Sequence, residues 1–283
     1  MKTIMTIKAW RRPEYFRQMF EALAACPGAT ELETIVTLDF CHPSIQKQQV
    51  EIIENSVMKD NTTIVVADTP MGCAGSTIWL LNEAFEERNA DAIMHLEDDS
   101  VPAQDYLQYM YWALETIKDD DTYFAVCPYT RRAANHFLPE TRTLEGSYTR
   151  AWFEASGGFG ITRNTWEYIQ SRGGMFGTHS INMPASMKGA AWKSIMPITN
   201  HGSWAWPFNR YFRDSSSDKH LCIYPEVNRT ENIGAEEGVF CPGSDWHAQN
   251  MANLENWIGH PQYNKVNFTT FNYTLNPISV GAQ

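Results

Sequence analysis

Ala92-Ile93-Met94-His95-Leu96 runs directly into Glu97-Asp98-Asp99-Ser100-Val101-Pro102. The first five residues are of strand length and almost wholly apolar, which predicts a strand buried on both faces, as in a parallel sheet covered by helices. The segments on either side repeat the theme. Thr3–Lys8, Glu33–Leu38, Thr62–Ala67 and Tyr123–Cys127 read as further short strands rich in β-branched residues. Helices are expected over Glu14–Ala25, Pro43–Asn55, from Gly72 through Phe85, and over Pro102–Lys118. Phe16, Met19, Phe20 and Leu23 recur at helical spacing on one face of the first helix, and Cys26-Pro27-Gly28 stops it. Strands alternating with helices predict an α/β fold built on a parallel sheet. In such sheets the chemistry lies beyond the carboxyl ends of the strands. Asp39 and Glu97–Asp99 stand at those ends.

After residue 130 the pattern becomes irregular and rich in Gly, Trp, Asn and Ser, with no low-complexity linker and no internal repeat. The expectation is one compact unit, its first half of nucleotide-binding type and its second half completing the site. The 283 residues carry a net charge of −11, which speaks against coating nucleic acid by bulk electrostatics. The charge is unevenly placed. Residues 1–130 hold 9 Lys+Arg and 21 Asp+Glu, residues 131–220 hold 11 and 6, and residues 221–283 hold 2 and 6. The middle of the chain is thus positive on an otherwise acidic protein.

The amino terminus acquires charge too early for a secretory leader, and no apolar stretch reaches the length of a membrane span. The six cysteines show no CxxC spacing and read as free or buried thiols. The expectation is a cytoplasmic protein, or one of the host cytoplasm if viral, without a membrane partner.

Three adjacent carboxylates at a strand end repel one another. A hard divalent cation, Mg²⁺ or Mn²⁺, would relieve that repulsion and leave coordination positions for diphosphate oxygens. The plain structural alternative is a solvated acidic turn in which Asp99 or Ser100 caps the next helix.

The segment His95–Tyr106, with Glu97-Asp98-Asp99 at its centre, resembles the metal motif of GT-A glycosyltransferases, most closely the N-acetylglucosaminyltransferase I type with its protein O-mannose relatives. Three further blocks follow in the family's order. Tyr123–Tyr129 is similar to its next strand. Phe153-Glu154-Ala155-Ser156-Gly157-Gly158-Phe159-Gly160-Ile161 is similar to its Phe-Pro-Gly-Leu-Gly-Trp segment. Tyr224-Pro225-Glu226-Val227-Asn228-Arg229-Thr230, with Gly234 and Gly238-Val239 behind it, is similar to its Arg-Pro-Glu-Ile-Ser-Arg-Thr run. The four blocks cover roughly residues 90–245.

The resemblance implies a Rossmann-like mixed sheet flanked by helices. Residues 1–130 would form the nucleotide-sugar half, and residues 131–283 the acceptor-binding and site-closing half. It also implies roles. Asp99 would ligate Mn²⁺ (or Mg²⁺), Asp98 would contact the ribose or support the metal, and Glu97 would face the donor sugar. Asp39 would bind the base and Arg11 the nucleotide. Gly158, Glu226, Arg229 and Gly238 would lie along the donor site, the loop Gly234–Gly243 would close over it, and His247 is a further candidate metal ligand.

Two departures stand out. The inverting family carries an Asp as general base in a Trp-Asp-Asp-Trp stretch. Here the matching stretch is Gly202-Ser203-Trp204-Ala205-Trp206, and alanine cannot accept a proton. Either Ala205 replaces an Asp, or Asp214 or Glu154 serves as base, or the enzyme retains configuration without one. In the helix from Gly72 to Trp79, Ser76-Thr77-Ile78 stand where the family carries His and basic residues, so UDP-GlcNAc is not inherited as donor.

On the acceptor side, Arg131, Arg132 and Arg210 supply positive charge, while Trp204 and Trp206 supply stacking surfaces. A glycan would stack on the tryptophans. A polyanion such as hydroxymethylated phage-type DNA would also use the arginines. The function expected is metal-dependent sugar transfer from a nucleotide sugar, UDP-linked by preference, to a hydroxyl. A non-catalytic module that binds sugar nucleotides or glycans on a degenerate GT-A fold is the alternative. A metal-dependent nucleotidyltransferase would need a glycine-rich amino-terminal loop, and Lys8-Ala9-Trp10-Arg11-Arg12-Pro13 has no glycine.

Overall fold

The computed structural model describes residues 1–130, 142–144, 147–150, 153, 156–171, 221–235 and 244–250. The chain opens with strand β1 (Thr3–Ala9), helix α1 (Pro13–Ala24), β2 (Thr34–Leu38), α2 (Pro43–Glu54), β3 (Thr62–Val66) and α3 (Gly72–Asn82). There follow β4 (Ala92–Glu97), β5 (Ser100–Pro102), α4 (Tyr106–Ile117), β6 (Tyr123–Val126), β7 (Arg142–Leu144) and β8 (Ser147–Arg150). The described elements end with β9 (Phe159–Thr162), α5 (Arg163–Ser171), β10 (Leu221–Pro225), β11 (Thr230–Asn232) and α6 (Ser244–Asn250).

Nine strands form one sheet in the order β3-β2-β1-β4-β9-β6-β10-β8-β7. Its first four strands are parallel, with Lys8 of β1 level with Glu97 of β4. Every residue of β1 and β2 is buried, as both faces are covered; β3, at the edge, is partly exposed. One apolar cluster lies beneath α1 and α4, with Phe16, Phe20, Tyr106 and Tyr109 in it. The other lies beneath α3 and α5 and includes Trp79, Phe85, Phe124 and Trp166. Helix α3 is buried from Ala74 to Asn82, which accounts for its apolar sequence on all sides.

The expected α/β class is observed, with two corrections. The sheet is mixed, not parallel: β9 lies antiparallel to both β4 and β6. Ser156–Gly158 lies beside the carboxyl end of β4. Gly158 has φ +93°, and a Cβ there would come within 2.5 Å of the His95 carbonyl oxygen. A strand that starts there can only run back along β4, which it does with Phe159 opposite His95 and Thr162 opposite Ala92. The mixed sheet is the one the GT-A resemblance implies.

The second correction concerns the helix expected from Pro102. Ser100–Pro102 is instead a short strand paired antiparallel to Thr230–Asn232, and the helix starts at Tyr106 with Asp105 in the N-cap position. Pro102 biases the residue before it toward extended backbone, and β11 supplies the partner. Neither Asp99 nor Ser100 is a helix cap.

Candidate active site

Strand order reverses between β1 and β4: β2 and β3 extend the sheet on one side of β1, and β4 begins the other side. The crevice beyond the carboxyl ends of β1 and β4 is a topological switch point, the usual ligand position of such sheets. Two loops meet there, Trp10–Arg12 after β1 and Glu97–Asp99 after β4.

Each carboxylate of the triplet has its own environment. Glu97 Oε1 pairs with Lys8 Nζ at 2.9 Å, and the same ammonium lies 2.7 Å from Cys73 Sγ in the first turn of α3. Burial would lower the Lys8 pKa, but Cys73 and Glu97 outweigh it and raise it. Burial pushes the Cys73 thiol up despite Lys8. Asp98 is 4% exposed and Asp99 8%. Arg12 Nη2 reaches Asp98 Oδ1 at 2.5 Å and Asp99 Oδ2 at 3.0 Å, and Arg12 Nε donates to Asp98 Oδ2 at 3.3 Å. The Trp10 backbone N–H also donates to Asp98 Oδ2. Burial raises the Asp98 pKa, with Arg12 opposing. Burial carries Asp99 further, to about 7, because Asp98 and Glu97 add repulsion that Arg12 only partly offsets. The Arg12 guanidinium is held in its charged form: the two aspartates outweigh its own burial.

Strand β11 closes one wall. The Ile233 N–H donates to the Asp99 carbonyl at 2.8 Å, and Gly234 packs so closely that a Cβ there would lie 2.2 Å from Asp99 Oδ2. Asn232 Nδ2 donates to the Ser156 carbonyl at 2.9 Å, and Thr230 Oγ1 to the Gly157 carbonyl at 2.7 Å. These bonds fasten β11 to the glycine segment ahead of β9. His247 of α6 is buried and places Nε2 3.1 Å from Asn232 Oδ1, and burial lowers its pKa.

The other expected residues fall in different places. Asp39 is buried at the end of β2 and accepts from the N–H groups of Phe40 at 2.7 Å, Met71 at 2.8 Å and Gly72 at 2.8 Å. It thereby ties β2 to the start of α3, where a negative charge is favoured. Arg11 is exposed, its guanidinium 4.3 Å from the centre of the Trp10 ring, whereas the neighbouring Arg12 enters the crevice. Arg229 is 0% exposed, and its Nε meets Asp105 Oδ2 at 2.9 Å. This ion pair fastens the residue ahead of β11 to the start of α4. Glu226 is exposed after β10. Gly158 abuts β4 as described above. Ala205, Asp214, Trp204, Trp206, Arg131, Arg132, Arg210 and Gly238 lie outside the described residues, as does Glu154.

Sequence reading missed Lys8, Arg12 and Asn232. Lys8 left one signal: a charged residue closing a strand buried on both faces needs a partner. The other two become visible only when β1, β4 and β11 are brought together.

Two buried polar atoms of the crevice have no hydrogen-bond partner among the described residues, Asp99 Oδ1 and Arg12 Nη1. An open carboxylate oxygen at a switch point suits a hard cation, and such ions commonly bind through one or two carboxylates plus substrate phosphates. No group of three or more His, Cys, Asp or Glu among the described residues is arranged to hold a metal. An ion here would rest on Asp98 and Asp99 alone, and a ligand's oxygens would have to supply the remaining positions.

Fold and site together define an α/β protein with a charged crevice at the switch point of a mixed sheet. No protein-family model matches the sequence, and no curated protein matches it. Among solved structures the chain is similar to the mannosyltransferase PcManGT of Pyrobaculum calidifontis in complex with GDP-Man and Mn²⁺. The identity is 17%, over 76% of this chain and 65% of that one, with a TM-score of 0.48. It is also similar to S. aureus TarS 1–349 in complex with UDP-GlcNAc: 18% identity, 41% of this chain, 32% of that one, TM-score 0.34. A third similarity is to the galactosyltransferase LgtC with donor and acceptor sugar analogs: 14% identity, 60% and 63% of the two chains, TM-score 0.34. The match thus spans only about a third of TarS 1–349. The strand order, not these partial likenesses, carries the fold. No helix among the described residues is long and apolar enough to cross a membrane.

Proposed function

We propose that this chain is a glycosyltransferase that moves a sugar from a nucleotide-sugar donor, UDP-linked by preference, to an acceptor hydroxyl with the help of Mn²⁺ or Mg²⁺. The observation that carries the reading is the buried Asp99 at the switch point, with one carboxylate oxygen unpartnered. Asp99 would hold the ion with Asp98 beside it, and the bound ion would supply positive charge to the departing diphosphate. The chain's own residues do the rest. The Trp10–Arg12 loop offers a guanidinium and backbone donors where phosphates would lie, and Lys8 fixes the Glu97 carboxylate toward the donor sugar. The wall of Ile233 and Gly234 excludes water from Asp99.

Residues 1–130 would bind donor and residues 131–283 acceptor, in the cytoplasm. The positive charge of residues 131–220 favours a polyanionic acceptor such as hydroxymethylated DNA, with a glycan as the other candidate. The inverting route needs a base, and position 205 is where the family resemblance puts it.

The test is a thermal-shift screen of UDP- and GDP-sugars with and without Mn²⁺. A donor should raise the melting temperature, and more so with Mn²⁺, by mass action. No shift with any nucleotide sugar at millimolar concentration would sink the reading. Slow Mn²⁺-dependent hydrolysis of the best donor separates an enzyme from a binding module, because hydrolysis needs the donor site but no acceptor. Duplex binding that weakens steeply with salt supports the polyanion, and no duplex binding at low salt removes it.

A further inference from the structure

The arrangement of Arg12 goes beyond what a nucleotide contact requires. Its guanidinium is shared between two carboxylates, contacting both oxygens of Asp98 and Oδ2 of Asp99. The remaining nitrogen, Nη1, is buried without a hydrogen-bond partner among the described residues, as is the remaining Asp99 oxygen. Gly234 packs against the pair: a Cβ on it would stand 2.2 Å from Asp99 Oδ2 and 3.3 Å from Arg12 Nη1.

We infer that Arg12 is the resident counter-cation of this crevice: it occupies the charge position of the divalent ion and yields it when a diphosphate arrives. The inference rests on the glycosyltransferase reading and adds an order to ligand binding. With Arg12 docked, Asp98 has no oxygen free of Arg12 and Asp99 has only Oδ1. A dication placed beside a docked guanidinium meets a like charge at short range in a buried site, which is costly. A planar guanidinium binds phosphate as well as it binds carboxylate, through the same two-pronged donors. A diphosphate entering beside the Trp10–Arg12 loop gives Arg12 a second anion to fork onto. Its departure frees the Asp98 and Asp99 oxygens, and the ion enters with the nucleotide. Ion and nucleotide then bind cooperatively, each strengthening the other by the same factor. Glu97 stays out of the exchange because Lys8 already pairs with it.

The test measures Mn²⁺ binding directly, by calorimetry or water-proton relaxation, on the wild-type chain and on Arg12→Gln, without nucleotide. Arg12→Gln should bind Mn²⁺ more tightly by on the order of tenfold, within the range of coupled sites. Arg12→Lys, which keeps the charge, should stay near wild type. Wild type should gain Mn²⁺ affinity when UDP is added. Equal or weaker Mn²⁺ affinity in folded Arg12→Gln overturns the role of Arg12 and leaves the metal reading standing. No Mn²⁺ binding by wild type or variant, with or without UDP, overturns both. Should Arg12→Gln not fold, the Nε–H signal of Arg12 in wild-type protein gives the answer. Mg²⁺ with UDP should shift it and speed its solvent exchange, and an unchanged signal under saturating Mg²⁺ and UDP overturns the inference.

Discussion

The two wings of the sheet differ in how they are built. The wing β3-β2-β1-β4 is wholly parallel and comes from one continuous stretch of chain, with each strand joined to the next through a helix. The wing beyond β4 draws its strands out of order, mixes directions and includes β9, which starts from two adjacent glycines. The first wing supplies the charged groups of the crevice. The wall that buries them belongs to neither wing: it is the separate two-stranded sheet β5–β11, with Gly234 packed on Asp99 and His247 bonded to Asn232 behind it. An acidic strand end alone would be a solvated turn; β11 and the residues behind it bury Asp99, and that burial raises its pKa.

The wings meet across Trp166 and Phe85. The rings stack at 5.2 Å with 10° between their planes, Trp166 from α5 and Phe85 from the turn after α3. Trp166 is fully buried, and its Nε1 donates to Glu86. Replacing Trp166 by alanine should therefore cost about 3–5 kcal/mol, seen as a lower urea midpoint. A smaller loss, with the second wing alone melting early, would show that the wings fold independently.

The next effect tests whether residues beyond 130 complete the chemistry. Ala205→Asp should raise turnover by a factor of ~10² or more if position 205 is that of the base. Unchanged turnover would move the base to Asp214 or Glu154, or point to retention of configuration.

A third prediction concerns the carboxylate of the first wing that the β5–β11 pair covers. Asp99 has a folded-state pKa of about 7 against an ordinary value of 3.8. The folded protein therefore holds this proton where the unfolded chain has released it. The stability it contributes is full below pH ~4 and is lost as pH rises through ~7, at up to about 1.4 kcal/mol per pH unit. Urea titrations without divalent ions should show this decline, and Asp99→Asn should flatten it while abolishing Mn²⁺ binding. A decline that survives in Asp99→Asn would assign it to another group.

The smallest effect lies in the middle of the sheet. A Cβ at Gly160 of β9 would meet Met110 Cε at 2.8 Å, with the Ile93 carbonyl oxygen and Leu114 Cδ2 at 3.2 Å. The methionine end is flexible, so Gly160→Ala should cost only about 1 kcal/mol. A cost above that of Trp166→Ala would mean that α4 cannot move away from the sheet.

The sequence made the first wing almost fully legible. Buried parallel strands are continuous apolar runs, and the helices between them carry local periodicity and stop signals. Its four strands and three helices could be placed, most within a residue or two of their ends. The helix expected at Pro102 failed because the preference of Ser100–Pro102 was settled by a partner far along the chain. The alternation of strands and helices suggested a parallel sheet and gave no sign of the antiparallel β9, since four residues carry no direction; only the family resemblance implied a mixed sheet. In the site, Glu97, Asp98 and Asp99 were legible as a triplet because crowded like charges at a strand end demand an explanation. Arg12 was not, because Arg11 and Arg12 are adjacent and only the turn after β1 decides which one faces inward. Arg229 was legible as a special residue but not as a buried strut.

By itself, then, the amino-acid sequence determined the class of fold, the end of the sheet where chemistry would lie and the acidic groups there, because periodicity and charge crowding act over a few residues. Tertiary structure alone decided which cation faces those acids, which carboxylate oxygen stays open and which strand covers them. Those outcomes depend on the register of β4 against β1 and on the pairing of β5 with β11, and no local preference encodes a contact between residues that far apart.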